Sequence, residues 1–266
     1  MKRIVLAAVL VVAVASAATS AAAPGVDATK NACTVLKAKL GATAFAQAYS
    51  TFGRCVSNLA QVEQQNIAAA QAACTAEQSD PNFSAAHGGK TFDQVYGTGR
   101  KVKNAFVNCV SAKAAASSKA EGQDRPNPAR TCRTARAQMG TGAFALLYGK
   151  SASDRNVFGK CVSRAARAQT QNELAAAASC RAEQASATFA ADHSGKTFAQ
   201  FYGTNADLSN AFGKCVSSKA GATSQSQQQL TVAAARACMG ERKPDPAAFR
   251  TKYGTFGHCV SLKAHG

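Results

Sequence analysis

The sequence is poor in the large apolar residues from which most protein cores are built. Tryptophan is absent, and beyond the N-terminal segment Ile67 is the only isoleucine. Alanine supplies most of the apolar residues, and an alanine buries little surface when it leaves water. Apolar burial therefore contributes little stability per residue, and we expect the fold to depend on another source of stability.

The sequence is also poor in acidic residues. It has 14 Asp and Glu against 31 Lys and Arg, a formal net charge of +17, which falls by two to +15 without Lys2 and Arg3. A charge of this sign favours anionic partners such as envelope polymers, acidic polysaccharides, nucleic acids or membrane surfaces. The basic residues are spread over the whole chain, so the charge fits a dedicated binding face and a merely solubilising surface about equally well.

Common catalytic and cofactor-binding motifs are absent. The sequence has no Gly-x-x-x-x-Gly-Lys-Ser/Thr, His-Glu-x-x-His, Gly-x-Ser-x-Gly or Cys-x-x-Cys. The Gly-Lys-Thr segments ending at Thr91 and Thr197 lack the leading glycine of a phosphate loop, and we interpret each as a loop followed by an N-cap threonine. We therefore predict a non-enzymatic protein with no cofactor and no bound metal.

The N-terminus has the pattern of a secretory signal peptide over residues 1–23. Lys2 and Arg3 precede a short apolar run, and small residues at Ala15 and Ala17 offer a cleavage site, with a cut after Ala22 as the alternative. No later stretch is long and apolar enough to span a bilayer. We predict that the chain is secreted to the extracellular side and has no membrane span.

The ten cysteines follow a regular pattern. In an exported protein an even number of regularly spaced cysteines indicates disulfide bonds. The tripeptide Cys-Val-Ser occurs five times, each time after a Phe-x-x-x-Tyr pair and a further cysteine upstream. Such self-similarity is typical of repeat proteins, and the five predicted units are Cys33–Cys55, Cys74–Cys109, Cys132–Cys161, Cys180–Cys215 and Cys238–Cys259.

A longer period organises these units into blocks. Cys55, Cys74, Cys109 and Cys132 recur 106 positions later as Cys161, Cys180, Cys215 and Cys238. We predict a first block of two units over 24–121, a linker over 122–129 that contains Gly122, Pro126 and Pro128, and a second block with an additional C-terminal unit over 130–266.

Helix geometry restricts the disulfide pairing. The segment from Cys161 to Glu183 is rich in alanine and has neither Gly nor Pro, so it predicts one long helix. A continuous helix separates Cys161 from Cys180 by about 28 Å, whereas a disulfide requires Cα atoms within about 7 Å. The cysteines of each predicted unit should therefore pair with each other, although the sequence alone allows other connectivities. We expect an all-α, disulfide-stapled helical repeat array.

The repeat motif resembles a group of sequences. Segments such as Asp245-Pro246-Ala247-Ala248-Phe249, Lys252-Tyr253-Gly254 and Phe256-Gly257-His258-Cys259-Val260-Ser261 are similar to repeats in alanine-rich, secreted bacterial proteins with paired cysteines. The similarity covers nearly the whole chain after the signal peptide. It implies export and repetition, and because no function is assigned to that group it implies no activity.

Basic residues flank the Cys-Val-Ser motifs, and stacked units would place them in a spaced row suited to a linear polyanion. The candidate polyanion-binding residues are Arg54, Lys113, Lys160, Arg164, Lys214, Lys219 and Lys263. We therefore predict a binding or structural role at the cell envelope. Nucleic acid is a less favoured partner, because the aromatic residues of the repeats are expected in the core and not available for stacking on bases.

Two alternative functions remain open. The chain could be a secreted module that binds or inhibits another protein, since small disulfide-tied units are suitable scaffolds for such a role. It could also be a secreted enzyme whose site lies near His87 and His193, which occupy matching loops; His193 follows Asp192 directly. Exposed loop histidines explain this pattern more simply than metal ligands do.

Overall fold

The structure is a computed structural model that describes residues 24–99, 104–149, 154 and 156–265, with the backbone alone for 24–28. The predicted signal peptide lies outside the described residues. The described part of the chain forms helices and has no strand: α1 (Pro24–Leu40), α2 (Ala42–Tyr49), α3 (Phe52–Ser79), α4 (Phe83–Ala86), α5 (Phe92–Tyr96), α6 (Ala105–Asp124), α7 (Pro128–Met139), α8 (Thr141–Tyr148), α9 (Val157–Gln184), α10 (Phe189–Asp192), α11 (Phe198–Tyr202), α12 (Ala211–Arg242), α13 (Pro246–Tyr253) and α14 (Phe256–His265). The all-α prediction is confirmed.

Helix starts follow from local sequence. Thr91 and Thr197 each accept a hydrogen bond from a backbone N–H in the first turn, and the glutamine three residues later returns a side-chain bond to the threonine N–H. This capping box satisfies two backbone N–H groups that a helix start leaves without partners. Asp245 caps α13 in a similar way and is followed by Pro246, whose missing N–H is not needed at a first helical position.

Five disulfide bonds join the cysteine pairs expected from helix geometry. Cys161 and Cys180 lie in the same uninterrupted helix, α9, as predicted. The paired Cα atoms are 6.0–6.1 Å apart, and all ten cysteines have 2% exposure or less. Each bond ties two consecutive long helices together and encloses the loop and short helices between them.

The helices of the two predicted blocks pack against each other. α6 lies against α12 and α3 lies against α9, and the largest cluster of buried apolar residues includes Leu36 from α1, Val162 from α9 and Val260 from α14. The predicted linker 122–129 includes the last turn of α6 and the start of α7, and its residues Gly122 and Ala129 are buried. The division into blocks and the number of repeats remain predictions.

α6 and α12 approach so closely that Gly213 has no space for a side chain. A Cβ atom at Gly213 would lie 2.2 Å from the carbonyl oxygen of Ser117. At the matching position in α3, a Cβ at Gly53 would meet nothing within 4 Å. Gly213, two residues before Cys215, therefore has a packing role that Gly53, two residues before Cys55, does not have.

A buried polar network lies at the junction of α3, α6 and α9. Arg125, just after α6, donates from Nε to Oε1 of Glu173 at 2.6 Å and from Nη2 to the other carboxylate oxygen, and both residues are at most 4% exposed. Asn66 donates to Glu121 at 3.2 Å, and Ser118 donates to Glu63. Sequence analysis did not foresee this network.

Candidate functional site

Most of the candidate polyanion-binding residues have carboxylate partners. The five lysines form ion pairs, namely Lys113 with Glu77, Lys160 with Asp154, Lys214 with Asp124, Lys219 with Glu183 and Lys263 with Glu241. Arg54 and Arg164 are exposed and have no carboxylate partner within the described ranges. The structure therefore does not bring the seven residues together as one unopposed basic row.

Three of these lysines belong to a recurring arrangement. Glu183 accepts a hydrogen bond from the hydroxyl of Tyr202 at 2.8 Å, and its other oxygen pairs with Lys219 at 2.6 Å. Equivalent contacts join Glu77 with Tyr96 and Lys113, and Glu241 with Tyr253 and Lys263. Each carboxylate thus links the short helix that carries the Phe-x-x-x-Tyr pair (α5, α11 or α13) to the two helices that a disulfide already joins.

The pKa values reflect these contacts. Burial and the hydrogen bond to Glu183 raise the pKa of Tyr202 to about 12, so its hydroxyl keeps its proton and donates. Hydrogen bonds from Lys263 and Tyr253 lower the pKa of Glu241 to about 2. Sequence analysis missed the glutamates, although a signal was present: three units have Glu three residues after the first cysteine and Lys four residues after the second.

Two units have apolar residues at these positions. The unit that begins at Cys33 has Leu36 and Leu59, which are buried and at most 4% exposed. The unit that begins at Cys132 has two alanines, Ala135 and Ala165. The small pair leaves space where the other units have either two leucines or a glutamate and a lysine.

A cavity of about 300 Å³ lies at this place, between α7, α9, α12 and α14. We call it the apolar cavity. Its lining includes Ala135, Ala165 and Val260, and it reaches the surface at exposed residues such as Arg164 and Gln227.

Tyr148 lines the apolar cavity and differs from the other tyrosines. The hydroxyls of four tyrosines have partners: three contact the glutamates above, and that of Tyr49 accepts from Arg125 at 3.3 Å. The hydroxyl of Tyr148 has no partner among the residues that the structure describes, although Arg164 lies 5.2 Å from the ring centre. Burial raises the pKa of Tyr148, an effect that Arg164 opposes.

A second concave surface lies between α2 and α9, and its volume is about 890 Å³. We call it the basic groove. Lys160, Arg164 and Arg167 line it from α9, and no carboxylate is among its described lining residues. Their spacing of four and then three residues places them on one helix face. Ser163 donates to the backbone carbonyl of Gln47 and connects the two walls.

Sequence analysis identified two of the three basic residues of the groove and missed Arg167. Lys160 and Arg164 flank the Cys-Val-Ser motif directly, whereas Arg167 lies about one helical turn beyond it along α9. Extending the helical period from Lys160 and Arg164 would have found it. Arg164 and Tyr148 line both the basic groove and the apolar cavity.

The two loop histidines have structural contacts. The ring of His87 stacks on Phe83 with ring centres 3.8 Å apart, and that of His193 stacks on Phe189 at 3.9 Å. In both, Nδ1 lies 2.8 Å from the carbonyl oxygen of the residue on which the ring stacks. Within the described residues, no group of three or more His, Cys, Asp or Glu side chains is arranged to hold a metal ion.

Searches against family models, curated proteins and solved structures found no match to this chain. Among the described helices, none is long and apolar enough to cross a membrane.

Proposed function

We propose that this chain is an exported, non-enzymatic binding protein that holds an anionic polymer of the cell envelope in the basic groove. The observation that carries the proposal is the placement of Lys160, Arg164 and Arg167 on one face of α9, where they line the groove without an acidic neighbour in its described lining. The five disulfide bonds favour an oxidising compartment.

The spacing of the three cations suits a repeating anion. Along α9 the intervals from Lys160 to Arg164 and from Arg164 to Arg167 are about 6 Å and 4.5 Å. Asp154 offsets the charge of Lys160, so the two arginines provide the uncompensated charge. A guanidinium binds carboxylate, sulfate or phosphate oxygens through two parallel N–H donors. The guanidinium of Arg164 lies over the ring of Tyr148, and this contact restrains the Arg164 side chain.

The remaining candidate functions have less support. The stacked, hydrogen-bonded rings of His87 and His193 fit a structural role and do not favour an enzyme site in their loops. Nucleic acid is less favoured as the polymer, because the repeat phenylalanines, such as Phe92 and Phe198, are buried. A protein-binding or inhibitory module remains the alternative, and its contacts would be less sensitive to salt.

The test measures retention of the oxidised protein on dextran sulfate, polyglutamate and neutral dextran as salt is raised. The groove variant carries Lys160→Gln, Arg164→Gln and Arg167→Gln. The matched control loses the same charge at exposed lysines outside the groove, as Lys37→Gln, Lys90→Gln and Lys196→Gln.

We expect the wild-type protein and the control to bind the two polyanions and to elute at similar salt. The groove variant should elute much earlier, and its slope of log affinity against log salt should be shallower by about one unit for each cation that no longer pairs with the polymer. Equally early elution of the groove variant and the control would refute a dedicated site. Absence of retention of the wild-type protein at low salt would refute polyanion binding altogether.

A further inference from the structure

The apolar cavity has a specific origin in the sequence. At the two positions that face it from α7 and α9, this unit has Ala135 and Ala165, whereas Leu36 and Leu59 occupy the matching positions of the first unit. The leucine pair is buried within the protein's main core cluster. In the first unit the chain therefore fills this position with its own leucine side chains, whereas in the third unit the two alanines leave it empty.

The cavity combines an apolar interior with a polar mouth. Buried side chains such as Val232 and Val260 form part of its wall. Arg164 and Tyr148 also line it and supply one fixed positive charge and one hydroxyl without a described partner. No acidic side chain is among its described lining residues, so the site favours a ligand with a single anionic group and an apolar body.

We propose that the apolar cavity binds a small amphipathic carboxylic acid, with its carboxylate at Arg164 and Tyr148 and its hydrocarbon part between Ala135, Ala165 and Val260. The guanidinium supplies a charge-assisted pair, and the phenol donates a second hydrogen bond to the carboxylate. Ligand pockets begin at roughly 300 Å³, and a cavity of about 150 Å³ accommodates benzene. The cavity volume of about 300 Å³ therefore suits an unbranched acid of about ten carbons.

The apolar cavity and the basic groove share Arg164 and Tyr148, but most of the rest of their walls differs. Ala135 and Ala165 line only the cavity, and Arg167 lines only the basic groove. Variants at these positions therefore change one site at a time. If the protein does not bind the polymer, the proposal of a carboxylic-acid site still stands. If it does not bind decanoate, the proposal of polymer binding still stands.

The test measures binding of decanoate by titration calorimetry, with decanol as the uncharged control. The cavity variant carries Ala135→Leu and Ala165→Leu, which reproduces the leucine pair of the first unit. Ala165→Leu alone provides a milder filling if the double variant does not fold, as judged by its helical circular dichroism. Arg167→Gln changes the basic groove alone and serves as the matched control.

We expect the wild-type protein and Arg167→Gln to bind decanoate equally and at least tenfold more tightly than decanol. The cavity variant, or the single leucine variant, should bind decanoate at least tenfold more weakly while its retention on dextran sulfate stays unchanged. Arg164→Gln should remove the preference for decanoate over decanol. Failure of the wild-type protein to bind decanoate at millimolar concentration, or undiminished binding by the folded cavity variants, would overturn the proposal.

Discussion

Glu121 is a buried carboxyl group whose ionisation should control stability between acidic and mildly alkaline pH. Its side chain is 4% exposed, and burial raises its pKa to about 8, against an ordinary value of 4.5. A hydrogen bond from Asn66 and the charge of Arg125 oppose this rise, and the nearby Glu63 adds to it. The folded protein therefore retains a proton on Glu121 at a pH where the unfolded chain has released it.

The sign and size of the effect follow from this difference. Because the folded-state pKa is the higher one, the stabilising contribution of the protonated group is fully present below pH 4.5 and is lost as the pH rises towards 8. A difference of about 3.5 pKa units, at about 1.4 kcal/mol each, corresponds to about 5 kcal/mol. Glu121→Gln removes this loss, because an amide keeps the acceptor for Asn66 and does not ionise.

The assay is urea unfolding of the oxidised protein at pH 4.5, 6, 7 and 8. The free energy of unfolding of Glu121→Gln, relative to wild type, should rise by about 4 kcal/mol between pH 4.5 and pH 8, because the two ends of this range coincide with the two pKa values and the full difference develops only beyond them. Glu241→Gln is the control whose difference from wild type should stay nearly constant over this range. Since the pKa of Glu241 is lowered to about 2, its stabilising contribution is present above pH 4.5 and is lost as the pH falls towards 2.

A pH-independent difference between Glu121→Gln and wild type would refute the reasoning. It would mean that the carboxyl group ionises in the folded protein as readily as in the unfolded chain, despite its burial. A difference that falls as the pH rises would contradict the sign as well as the size.

Two further substitutions, measured by urea unfolding at neutral pH, test the contacts that α6 and Arg125 make with helices of the second predicted block. Gly213→Ala should destabilise the protein by about 1–3 kcal/mol, because its Cβ would lie 2.2 Å from the carbonyl oxygen of Ser117. Gly53→Ala is the control and should not destabilise the protein. Equal destabilisation by both substitutions would contradict the close approach of α6 and α12. Arg125→Met should destabilise by about 3–5 kcal/mol, because it leaves Glu173 buried without its cation; a destabilisation below about 1 kcal/mol would show that Glu173 finds another partner or water.

The disulfide pattern could be predicted because it depends on local geometry. An alanine-rich segment without Gly or Pro forms a helix, and the length of that helix alone keeps Cys161 and Cys180 apart. The predicted N-caps at Thr91 and Thr197 are also confirmed, because a capping residue and its partners lie within one turn.

The candidate site could be predicted only in part, because it depends on which distant residues meet. Lys113 and Lys219 could be expected near a helix end, but their pairing with glutamates depends on how consecutive helices pack. The apolar cavity was not foreseen for the same reason. Ala135 and Ala165 are two small residues among many in this sequence, and only the packing of α7 against α9 places both on one cavity.

The disulfide bonds also determine what happens when a loop is cut. Among the connections between the described helices, each lies between the two cysteines of one bond, except for residues 125–127. A protease that cuts any of the other connections would leave a nicked but covalently intact molecule. Residues 125–127 are the one such connection whose cleavage would divide the chain into two pieces. This connection begins with Arg125, whose side chain is buried in the fold and only 4% exposed.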